Sequence, residues 1–157
     1  MLSLQYGQGK EIDMWELFYA LNSSILMDPA RKEKIKTDSD LDAIRHLERF
    51  QELTRLGETR DKIARFDSVN AFEGSVAMVF MDELGEPVWI HHSRVDFNEL
   101  GFYEVTYSDN SIFPIYTPNE VYLGKPFRLK FTTKMIVGEF SGEPNPSMVL
   151  LDIEQVK

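Results

Sequence analysis

Cysteine is absent from this chain. Disulfides, thiolate-bound zinc and cysteine nucleophiles are therefore excluded, and a reducing compartment suits such a protein. Long apolar runs are missing too. The longest, "LFYAL" and "VAMVFM", fall far short of the roughly 20 residues that a membrane-spanning helix needs. The opening "MLSLQYGQGKEID" has no apolar stretch of the kind a secretory signal carries. These absences lead us to expect a cytoplasmic protein, of a cell or of an infected host, with no membrane partner.

Catalytic signatures are also lacking. There is no G-x-S-x-G, no H-E-x-x-H and no zinc-deaminase pattern. "GQGK" at 7–10 lacks the spacing of a phosphate-binding loop, and no strand precedes it; it reads as an N-terminal turn. No cofactor is expected.

Cations are scarce in the second half. Residues 1–72 carry 11 basic and 13 acidic groups, a net −2; residues 73–157 carry 6 and 13, a net −7, which makes −9 in all. An acidic surface repels phosphate backbones, so duplex nucleic acid is disfavoured as a partner.

What is present is enough for a core. The chain has 157 residues, 43% of them apolar and 27% charged, the profile of a globular protein. Two regions differ in period, and they divide the chain into a helical segment, 1–72, and a β segment, 73–157, within one compact domain. The first helix is expected over Glu11–Met27, where Met14, Leu17, Phe18, Leu21 and Ile25 form a stripe at spacings of three and four. Trp15, Tyr19 and Leu26 widen that stripe, which predicts a largely buried helix.

"KTDSDLDAIRHLERFQELTRLGE" predicts a second helix with Gly57 as its stop. Its apolar residues Leu41, Ile44, Leu47, Phe50, Leu53 and Leu56 are spaced by three. An α-helix advances about 100° per residue, so this row winds around the axis and one face cannot bury it. Either the helix breaks near Phe50 or its second half meets another element. That element would be a short helix at 58–67, with Ile63, Ala64 and Phe66, or a second protein. Phe50, Leu53 and Leu56 are thus the candidate protein-interaction residues, and self-association is one mode they allow.

From Phe72 onward strand signals dominate. "GSVAMVFM" and "EPVWIHH" flank "DELGE", and "FYEVTY" and "IFPIY" flank "SDNS", two hairpin patterns. "FRLKFTTKM" alternates strictly, and "MVLLDIEQV" closes the set. Six or seven short strands predict an antiparallel sheet, a sandwich or a small barrel. The fold class is therefore α+β, with two to three N-terminal helices packed on a C-terminal antiparallel sheet.

Two stretches carry candidate chemistry. In "WIHHSRVDFNELGFYEVTY" a strand over 88–97 would put Trp89, His91, Ser93, Val95 and Phe97 on one side. Ile90, His92, Arg94 and Asp96 would take the other. A metal held by His91, His92 and Asp96 would then need a departure from regular strand; it would make the chain a metal-assisted hydrolase. Without that departure, His91 packs beside Trp89 and the rest is a solvated polar face. In the second stretch Lys125, Arg128, Lys130 and Lys134 cluster near Tyr122 and Phe127. They would suit a barrel that binds single-stranded oligonucleotides, or they would pair with acidic neighbours such as Asp152 and Glu154 across strands.

The reading that these features favour is a small, acidic, non-catalytic binding protein acting through protein–protein contacts. An adaptor, an inhibitor or an assembly factor would fit, as would an accessory protein of a phage or mobile element.

Overall fold

A computed structural model describes residues 13–72 and 74–157. The turn expected at 7–10 and the first residues of the expected first helix lie outside these. The described chain is α+β: helices first, then a mostly antiparallel sheet of six strands with a separate two-stranded sheet. It forms two units. One comprises the residues up to Glu58 with Thr133–Ser147, the other Thr59–Thr132 with Met148–Lys157. The division expected at residue 72 is displaced because the first strand begins at Thr59.

In the helical unit, α1 (Met14–Met27) starts where the Asp13 carboxylate accepts a hydrogen bond from the Trp15 N–H at 2.8 Å. Such a cap satisfies one of the amides that a helix N-terminus leaves open. Leu17, Phe18 and Ile25 are buried, whereas Trp15, Tyr19 and Leu26 stay substantially exposed. The helix is therefore less covered than its breadth of apolar residues predicts. Trp15 and Tyr19 cover each other instead, stacked at 5.3 Å.

After α2 (Arg31–Thr37) the expected long second helix is replaced by two short pieces, a 3-10 helix (Ser39–Ile44) and α3 (Glu48–Thr54). The break falls at Arg45–Leu47, earlier than Phe50. Its cause lies in the spacing of three. A 3-10 helix has three residues per turn, so Leu41 and Ile44 eclipse on one side. Leu47 is extended, with φ −74° and ψ 136°, and restarts the phase for α3. The row that winds around one α-helix thereby stays on one side of the chain. Leu41, Ile44, Phe50, Leu53 and Leu56 all enter one cluster with Leu17, Phe18, Ile25 and Ile35. Arg45 secures the junction: its guanidinium donates to the carbonyls of Lys36 and Asp38 and to the Asp42 carboxylate.

In the sheet unit the helix expected at 58–67 is instead β1 (Thr59–Phe72). Ala64 and Phe66 point inward and Ile63 and Arg65 outward, a period of two. The charged "RDK" has little intrinsic preference for strand; pairing with β7 overrides it. β1 lies between β2 (Ser75–Asp82) and β7 (Pro126–Val137), antiparallel to each. β3 (Pro87–Ile90) pairs with β2. β4 (His92–Ser93) runs parallel to β8 (Pro144–Gln155). β5 (Tyr103–Thr106) and β6 (Ile115–Pro118) form the separate hairpin.

The sheet order is β3-β2-β1-β7-β8-β4. β3 and β4 occupy opposite edges, yet only His91 separates them in the chain. Two Cα steps span about 7.6 Å at most, so the sheet curls until its edges nearly meet. It is not a closed barrel: no ladder joins β3 to β4, and a seam remains at His91. Inside the curl lie Phe66, Phe80, Phe97, Phe102, Phe127, Leu129 and Leu150, among others.

The β2–β3 hairpin turns on Asp82. Its carboxylate accepts from the N–H groups of Leu84 and Glu86 at 2.9 and 2.8 Å, and Lys62 Nζ sits 2.7 Å from its other oxygen. These contacts, that from Lys62 first, hold its pKa below the ordinary value of 3.8. A lowered carboxylate pKa stabilises the fold above the unfolded value. That contribution fades as pH falls through the folded value. Asp82→Asn should therefore melt below the wild type at neutral pH, and the gap should close on acidification below about pH 4. A gap of constant size from pH 7 to pH 3 in thermal melts would refute the charge contribution.

Candidate functional site

Two concavities on the sheet unit bring together residues with binding chemistry. The first lies along the seam. It has a volume of about 380 Å³ and is lined by Val76, Met78, Ile90, His91, Ser93, Arg94, Val95, Asp96, Phe97 and Tyr103. The alternation expected over 88–97 does not survive here. Regular strand stops at Ile90, and β4 covers only His92 and Ser93. The Ser93 hydroxyl then accepts from the Val95 N–H and donates to the Val95 carbonyl, both at 2.9 Å. This local turn defeats the two-residue period, so His91, Arg94, Asp96 and Phe97 line one cavity. His92 is absent from that lining.

Two of the polar side chains have a fixed setting. The His91 ring is stacked on Trp89, with centroids 6.1 Å apart and planes 7° from parallel. Asp96 Oδ1 accepts from the N–H groups of Asn98 and Glu99 at 2.9 and 3.1 Å, which caps the following turn. The Tyr103 phenol has its pKa raised, first by burial, then by the Asp96 and Tyr116 charges; it stays protonated as a donor. Among the described residues no group of three or more His, Asp or Glu side chains comes together as a metal would require.

The second concavity lies where the β1–β2 turn meets the residues leading into β6. It has a volume of about 260 Å³ and is lined by Ala71, Phe72, Gly74, Ser75, Phe113, Pro114 and Tyr116. Phe72 is 71% exposed, Phe113 65% and neighbouring Ile112 89%. A contiguous apolar patch left in water marks a contact surface, as a single exposed apolar residue does not. The two stretches of sequence that carry the cleft are poor in cations. Residues 66–93 contain no Lys or Arg but include Asp67, Glu73, Asp82, Glu83 and Glu86. Residues 95–124 again contain none, with Asp96, Glu99, Glu104, Asp109 and Glu120. Neither Phe72 nor Phe113 was singled out by periodicity. Their signal was an apolar residue in a turn, "AFEGS" and "SIFP".

The other sequence-predicted residues are placed differently. Phe50, Leu53 and Leu56 are buried in the helical unit's own cluster, so they offer no surface to a partner. The 3-10 phase shift turns the row into that cluster. In the basic strand Arg128 and Lys130 are exposed on β7, and Lys130 stands opposite Asp61 of β1. Asp61 is thus one cross-strand acid, and β8, which carries Asp152 and Glu154, flanks β7 on its other side. Phe127 is buried, and half-buried Tyr122 is stacked on Phe102 at 4.6 Å; a base would find no free aromatic face on either. Lys125 is exposed just before β7. Lys134 belongs to the helical unit, where it lines a hollow with Ile25, Leu26 and Met135.

No protein-family model matches the chain, and comparison with curated proteins and with solved structures finds no similar one. Among the described residues no helix is long and apolar enough to cross a membrane.

Proposed function

We propose that the chain is a non-catalytic binding protein that acts through protein–protein contacts, with the Phe72–Phe113 cleft as its contact surface. The observation that carries this reading is the pair of exposed phenylalanines flanking an apolar cleft. Interface energy concentrates in a few aromatic anchors around such a pocket. The partner we infer is a different protein, one that presents an apolar side chain flanked by basic residues. The cation-free, acidic stretches of sequence that carry the cleft, 66–93 and 95–124, favour that partner and disfavour a second copy. The cytoplasm is the compartment in which we place this contact.

Affinity capture with the wild type and with a Phe72→Ala/Phe113→Ala variant tests the proposal. A discrete partner should be retained by the wild type and lost by the variant. Each anchor is expected to contribute about 2 kcal/mol to binding, roughly 30-fold in Kd. The variant's own stability should shift by no more than about 0.5 kcal/mol, because both rings are exposed. Equal retention of the partner by a folded variant would sink this assignment.

A further inference from the structure

A hollow in the helical unit has no part in the contact surface proposed above. It lies where the end of α1 meets Leu56, Gly57 and the last residues of β7, and it has a volume of about 290 Å³. All of its lining belongs to that one unit. The accessible lining is mostly apolar. Leu26 is 46% exposed, Pro29 is exposed and Met135 is half-buried, while Ile25 and Leu56 back them from the unit's cluster. At about 100° per residue, Leu26 falls within roughly 40° of Trp15 and Tyr19 around the α1 axis. The hollow thus adjoins the end of an apolar stripe that the unit leaves in water. Met27, the next residue, is 76% exposed.

The charged groups that line the hollow are Lys32 and Lys134, and no carboxylate joins them. The Lys32 ammonium is anchored there, donating to the Leu56 carbonyl at 2.7 Å. Among the described residues the Lys134 ammonium has no hydrogen-bond or ion-pair partner. The acids of the adjoining segment are already paired. Asp28 lies 3.6 Å from Arg31, and Glu33 lies 3.4 and 3.5 Å from Lys32 and Lys36. An apolar hollow with one anchored and one free cation complements an apolar side chain flanked by carboxylates.

We propose that this hollow docks an acidic segment of a second protein partner. The segment would lay an apolar side chain over Leu26, Pro29 and Met135 and set carboxylates against Lys134 and Lys32. The preference is the reverse of that of the Phe72–Phe113 cleft, so the chain would join two partners of opposite charge, one on each unit. The two surfaces share no residue, and neither proposal rests on the other. An anionic bilayer is disfavoured as occupant, because a bilayer takes up protruding apolar groups rather than filling a hollow. The net charge of −9 also opposes it, and opposes a second copy.

Selection from a display library of random peptides provides the test. It is run on the Phe72→Ala/Phe113→Ala variant, so that the cleft contributes nothing. The enriched peptides should carry Leu, Phe or Met flanked by Asp and Glu. A synthetic copy of one, titrated by fluorescence anisotropy, should bind Lys134→Glu at least about tenfold more weakly, the equivalent of one lost charged contact. Leu26→Ala should weaken it about fivefold, as a lost apolar anchor does. Lys125→Glu, the same charge change on the sheet unit, should leave the affinity unaltered. All three variants should retain the parent circular dichroism. The proposal is overturned if no peptide enriches, if the enriched peptides are not acidic, or if folded Lys134→Glu binds as its parent does. It is equally overturned if sedimentation shows a dimer that Lys134→Glu dissolves, which makes a second copy the occupant. Retention on phosphatidylserine vesicles that Lys134→Glu abolishes would overturn it in favour of a membrane surface.

Discussion

Phe80→Ala is expected to destabilise the sheet unit by about 3–5 kcal/mol. Phe80 is fully buried, and its ring lies 5.5 to 6.3 Å from the rings of Phe66, Phe97, Phe102 and Phe127. Truncation removes the transfer energy of a benzyl group and leaves a cavity at the centre of a curled sheet. Phe66 stands on β1, Phe127 on β7, and Phe97 and Phe102 on the segment between β4 and β5, so the rings cannot all move together into the gap. Of the chain's two tryptophans, Trp89 reports on this unit and Trp15 on the other. Urea unfolding followed by Trp89 fluorescence, in a Trp15→Phe background, measures the loss. A change below about 1 kcal/mol would mean that the aromatic cluster is not the unit's core.

The second large effect is expected at Leu53, which has no exposed surface. Leu53→Ala should cost the helical unit about 2–5 kcal/mol. Changing Leu53 and Leu56 together to glutamate should unfold that unit, because two carboxylates would be buried without partners. Far-ultraviolet circular dichroism and Trp15 fluorescence would register the collapse of helical signal. A well-folded double variant that has merely lost a binding partner would restore the pair to an interface.

How these residues are read depends on what periodicity conveys. The row from Leu41 to Leu56 was visible in the sequence, and so was its conflict with a single α-helical face. What one strand of text does not show is that Arg45, bonding back to Lys36 and Asp38, closes a 3-10 turn and resets the phase at Leu47. Those bonds exist only once the turn has formed. Strand β1 shows the converse. Its alternation of Ala64 and Phe66 with Ile63 and Arg65 is short and embedded among charges, and the pairing with β2 and β7 that sustains it is non-local.

By itself the sequence determined the class of the fold, the order of helices before strands, and the two hairpins around "DELGE" and "SDNS". Each of these rests on local signals: caps, two-residue alternation and turn residues act within about ten positions of one another. It also set the acidic character, since charge needs no geometry. The tertiary structure alone decided that Phe50, Leu53 and Leu56 are core and that Phe72 and Phe113 share a cleft. It alone turned His91, Arg94 and Asp96 toward one cavity. The reason is that the chain leaves β2's side at His91 to pair with β8, and the Ser93–Val95 turn that follows breaks the two-residue period. A sheet that curls until β3 and β4 are one residue apart joins the ends of its strand order, and no local pattern encodes a contact between the first and last members of a six-strand series.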